Sequence, residues 1–162
     1  MKIANTLFAT LLLTGSLVSV PYVNSLASTT QEEEEMEKSE FLPVADMHHF
    51  MEYISKPSYR ELKSALAEDD IRRSAWKNIK QHALILAETT ILVADRPPED
   101  ADEEVTADWR AISLDTYNHA AALYKAADEK EQAVAVKEYG LMMDACNACH
   151  SKYDENDHQL AK

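Results

Sequence analysis

The chain has 162 residues, with 16 Lys and Arg against 29 Asp and Glu, a formal charge of −13 at pH 7. That length suits one domain and hardly two. So acidic a chain argues against nucleic acid and anionic membrane surfaces as partners, and suits a soluble protein that meets a basic one. Glycine occurs only twice while Ala, Leu, Glu and Lys abound, the composition of a helical protein.

Residues 1–27 read as an export signal. Lys2 is followed by the apolar stretch Leu7–Val20, Pro21 breaks it, and Ser25–Ala27 offers small residues for cleavage. The apolar run is short, and Gly15 interrupts it, so it makes a poor membrane span. After cleavage the protein is expected to be periplasmic or otherwise exported, without stable membrane insertion. Loss of Lys2 leaves 15 Lys and Arg against 29 Asp and Glu, a net of −14. Residues 28–42, rich in Glu, read as an acidic flexible linker.

Four amphipathic helices follow over residues 43–156. The first is expected to start near Pro43, with Val44, Met47, Met51 and Ile54 on one face. Pro57 should kink or divide it before the face resumes at Leu62, Ala65 and Leu66. Asp69 or Asp70 can cap the second, whose stripe is Trp76, Ile79, Ala83, Leu86, Thr90 and Val93, and the prolines of DRPPEDADEE end it. Thr106 can cap the third, with Trp109, Ile112, Thr116, Ala120, Leu123 and Ala127 inward. After a turn around Asp128 the fourth carries Ala135, Tyr139, Met142, Cys146, Cys149 and Tyr153 at spacings of 4, 3, 4, 3 and 4. No stretch alternates with the period of a strand. The expected fold is all-α, an antiparallel up-down-up-down four-helix bundle, with residues 157–162 as a C-terminal tail.

The two cysteines stand together in CNACH, at Cys146 and Cys149, with His150 next. On a helix, positions 0, 3 and 4 share a face. Two thiols there can add to the two vinyl groups at one haem edge, and the neighbouring imidazole is then carried close to iron. A dithiol redox pair belongs in a strand–turn–helix context, which is absent from this pattern. Zinc needs four ligands, and this motif supplies at most three. A helical disulfide at this spacing is strained. Covalent haem, made outside the bacterial cytoplasm, fits both the spacing and the export signal.

A signal peptide, four helices and a CxxCH near the end of the last helix resemble the cytochrome c′ family and its low-spin relatives, over about residues 44–154. CNACHSKY carries the specific likeness, with Cys146, Cys149, His150 and Tyr153 matching, and Trp109 is a familiar residue at the start of the third helix. Asp154 departs from the basic residue usual after the aromatic; Lys152 is the nearest replacement for that charge. The resemblance implies haem c held by both cysteines, His150 as the proximal iron ligand, and the first helix facing the other side of the ring. It also implies a homodimer, since family members often pair.

In that first helix, DMHHFMEY offers Met47 as the distal iron ligand, with His48 and then Met51 as alternatives. Methionine raises the potential and a second histidine lowers it. His82 and His119 read as satisfied or partly exposed histidines, and Trp76, Trp109, Tyr117 and Tyr139 as core or haem packing. The expected function is a periplasmic monohaem c-type cytochrome, a one-electron carrier and not an enzyme, whose acidic surface steers basic redox partner proteins. The alternatives are a gas-binding haem protein with an open distal site, and a helical bundle without haem that keeps two thiols.

Overall fold

Every regular element among the described residues is a helix. The computed structural model describes residues 43–154 and 159–162. The expected signal and acidic lead lie outside them. None of the described helices is long and apolar enough to cross a membrane.

The first helical run is continuous but not uniform. It comprises α1 (Met47–Phe50), a π-helical turn (Met51–Ser55) and α2 (Lys56–Leu66), with right-handed backbone through both junctions. Its cap is Asp46, whose carboxylate accepts the His49 N–H at 2.8 Å, so the helix begins later than the expected start near Pro43. Val44 therefore precedes the helix and is fully exposed, and Ile54 is exposed as well. Pro57 does not divide the run. The turn ahead of it widens, and the Lys56 N–H donates to the Met51 carbonyl, five residues back.

The next helix, α3 (Arg73–Ala94), starts after Arg72, with no side-chain cap. The expected cap at Asp69 or Asp70 is corrected by Ile71, which is buried and draws the connection into the core before the helix starts. The Gln132 side chain donates to the Glu68 carbonyl at 3.0 Å and holds that connection. The third run, α4 (Glu103–Glu129), is capped by Asp102, which accepts the Val105 N–H at 2.8 Å, and not by Thr106. Glu103 and Glu104 occupy the first turn, where carboxylates suit the helix dipole. The turn lies at Lys130, in left-handed backbone at φ 59°, and α5 (Gln132–Tyr153) follows.

Packing runs from α2 to α3, α3 to α4 and α4 to α5, with α2 also touching α5. Leu62, Ile79, Leu123, Met142 and Met143 are fully buried, each worth about 2 kcal/mol of transfer free energy. Alanines at 83, 120, 126, 127 and 135 let the helices approach closely there. His119 and Glu138 join α4 to α5 at 2.8 Å. The described residues of the tail are docked rather than trailing. Asn147 accepts the Leu160 N–H at 2.7 Å and donates to the Leu160 carbonyl at 3.0 Å, and Leu160 packs against the core.

Candidate functional site

At the other end of the same helices the side chains stand apart and line an open cavity of about 780 Å³. Met47, His48 and Met51 line it from α1 and the π-turn, and Leu86, Thr90 and Val93 from α3. Trp109, Ile112, Ser113 and Thr116 come from α4, and Met142, Cys146, Cys149, His150 and Tyr153 from α5. Leu160 of the tail closes one margin. The structure therefore brings together every site residue expected from the sequence, about a hundred positions apart in the chain.

Local chemistry fixes most of these walls. Trp109 is buried, and its indole N–H donates to the Val93 carbonyl at 2.7 Å, pinning α4 to α3. Tyr153 packs edge-on to Trp109, with ring centroids 5.2 Å apart. Its hydroxyl donates to Asp108, whose other partner is Lys152 at 2.7 Å. Those two bonds, Lys152 first, hold the Asp108 carboxyl below its usual range, and burial with the Asp108 bond pushes the Tyr153 phenol up to about 12. Thr90 and Thr116 return their hydroxyls to the Leu86 and Ile112 carbonyls of their own helices, at 2.7 and 3.1 Å. The Thr116 side chain also hydrogen-bonds the Cys146 thiol.

Both cysteines are thiols, half-buried on one face of α5. Burial pushes Cys146 up to about 12 and Cys149 up to about 11. Such thiols are poor thiolates at neutral pH, which weakens the dithiol-exchange alternative. Among the described residues, no three His, Cys, Asp or Glu side chains are placed to hold a metal ion by themselves. His150, in the last turn of α5, lines the cavity beside Cys149.

On the facing wall, Met47 and Met51 are half-buried and His48 is exposed at the edge. His49 is engaged elsewhere: its Nδ1 meets Asp46 at 2.8 Å and its ring stacks on Tyr53. His82 is partly exposed, as expected, with a buried Nδ1 that has no hydrogen-bond partner among the described residues. His119 is satisfied by Glu138. Trp76 and Tyr139 belong to the filled core rather than to the cavity. The Asp108 link to Tyr153 and the tail's Leu160 went unforeseen. Neither leaves a periodic signal, because each depends on residues far apart in sequence.

Magnitude tests whether this space fits a prosthetic group. The cavity opens to solvent, and its volume of about 780 Å³ lies within the roughly 300–1,000 Å³ of small-molecule and cofactor sites. Its walls mix Met, Leu, Val, Ile and Trp with polar side chains such as Glu52, Lys56, Thr90 and Thr116, and carry two thiols and an imidazole on α5 and the thioethers of Met47 and Met51 on the first helical run. Those walls suit a small-molecule guest that is largely apolar. No family model and no curated protein sequence matches this chain.

Proposed function

We propose that this protein is an exported monohaem c-type cytochrome, related to the cytochrome c′ family and its low-spin members, that carries single electrons. One observation carries the reading: Cys146, Cys149 and His150 share a single apolar cavity with Met47 and Met51 of the first helical run. The finer arrangement proposed with it is an antiparallel up-down-up-down four-helix bundle. In its support, the first half of α3 shares the filled core with the second half of α4 and the first half of α5, while their opposite halves line the cavity.

Bound there, haem would supply one-electron exchange at iron. The chain's part is to hold and insulate it. Each cysteine thiol would add across one vinyl group, sulfur to one carbon and hydrogen to the other, with no oxidant or reductant consumed. His150 would ligate iron from α5, and Met47 from α1, with His48 and Met51 as its neighbours on that wall. Trp109 and Tyr153, locked by their hydrogen bonds, would keep the proximal wall fixed between redox states, so little reorganises on transfer. The acidic surface would recruit a basic partner.

The test is maturation of the full chain with haem-attachment machinery in an exporting host. A covalently haem-stained band on a denaturing gel is expected, lost in the double variant Cys146→Ala, Cys149→Ala. Sharp reduced bands mark six-coordinate, low-spin iron. A broad high-spin spectrum that responds to nitric oxide or carbon monoxide would move the reading to gas binding. No covalent haem in the wild type would sink both.

A further inference from the structure

We infer that Pro57 is a positioning residue: it holds the π-turn that presents Met47, rather than His48, to the centre of the cavity. The inference rests on the haem reading above and concerns how the distal ligand is chosen. Its origin is the backbone of the first helical run. Pro57 has no N–H to give the Tyr53 carbonyl four residues back, and in a plain α-helix its ring would strike that carbonyl. The run escapes by widening over Met51–Ser55, where the Lys56 N–H reaches the Met51 carbonyl instead. Such a turn is one residue inserted into an α-helix.

One inserted residue rotates everything before it by about 100° relative to everything after it. The side after it is anchored, because Leu62 and Leu66 of α2 are buried in the core. The side before it is held more lightly, by contacts such as that of Arg96, because neither α1 nor the π-turn buries a residue. If the turn closed to plain α-helix, the N-terminal segment would therefore be the part that moves. Each of its residues would pass its place to the next in sequence, and the place of Met47 would go to His48. The native register is marked by Arg96, which donates to the Ala45 carbonyl at 2.5 Å and lies 5.4 Å over the Phe50 ring. The pattern MHH thus makes ligand identity depend on a backbone register set ten residues away.

The decisive variant is Pro57→Ala in the haem-loaded protein. Covalent attachment should persist, since Cys146 and Cys149 are untouched. The methionine-sulfur band of the oxidised spectrum should be lost, bis-histidine electron paramagnetic resonance features should appear, and the potential should fall. Deleting Tyr53, an exposed residue of the turn, in the Pro57→Ala background should restore both the register and the methionine spectrum. A merely destabilising effect of Pro57→Ala would not be repaired by losing a further residue. A Pro57→Ala protein that keeps the methionine spectrum, or a wild type already ligated by His48, overturns the inference. Register is also readable without haem. Nuclear Overhauser contacts between the Phe50 ring and Arg96 should vanish in Pro57→Ala and return in the deletion variant. Their persistence in Pro57→Ala overturns the register device, whereas absent covalent haem in the wild type strikes only the haem reading.

Discussion

The two halves of this molecule are built from the same helices and packed in opposite ways. Around Leu62, Ile79 and Leu123 the side chains are fully buried, with alanines bringing the backbones close. From Leu86 to Val93, Trp109 to Thr116 and Cys146 to Tyr153, the side chains stand apart around about 780 Å³. The difference lies in what faces α3, α4 and α5. In the filled half it is α2, which buries four residues, and in the cavity half it is α1 and the π-turn, which bury none, with only the first turn of α2, at Lys56 and Tyr59, reaching the cavity. One half supplies the stability from which the other can leave space for a guest.

The largest expected effect tests that division directly. Leu123→Ala, at a fully buried position, should cost about 3 kcal/mol in denaturant unfolding of the haem-free protein. Met51→Ala, on the cavity wall, should cost less than about 1 kcal/mol, since it leaves no new void in a packed surround. Equal costs would break the comparison. A smaller effect of opposite sign is expected from Ser113→Leu, which adds apolar volume at the cavity wall. It should stabilise the haem-free chain by about 1 kcal/mol and, under the proposed function, reduce the haem retained. Destabilisation there would mean that the space is not available to a side chain.

An effect of similar size concerns the polar link between α4 and α5. The His119 bond, aided by Lys137, holds the Glu138 carboxyl below the ordinary glutamate value of 4.5. A carboxyl lowered on folding stabilises the fold above the unfolded value and loses that contribution as pH falls through the folded one. Glu138→Gln should therefore cost about 1 kcal/mol at neutral pH and flatten the stability profile below pH 4.5. An unchanged acid limb would show that the link is ornamental to stability.

Periodicity made the inward stripes of α3, α4 and α5 legible, and with them the shared face of Cys146, Cys149 and His150. It carried less on the first run. A helical wheel assumes one rotation per residue throughout, so a π-turn cannot be seen on it, and Val44 and Ile54 were placed on a face they do not occupy. The helix starts were missed for a related reason. Asp102 and Thr106 offer the same capping chemistry, and only tertiary packing decides between them. At Ile71 the burial of one side chain outweighed the two aspartates before it.

The docked tail has a practical consequence for anyone handling this protein. Leu160 lies at the cavity margin, Lys63 donates to the Ala161 carbonyl at 3.1 Å, and Lys162 pairs with Asp144. Anything fused after Lys162 thus begins within a few residues of the cavity. A polyhistidine purification handle placed there would bring a row of imidazoles to the edge of a pocket already bordered by His48 and His150, where, with haem bound as proposed, they would compete for its iron and counterfeit a native spectrum. A cleavable handle, removed before any spectrum is read, keeps the ligands those of the chain itself.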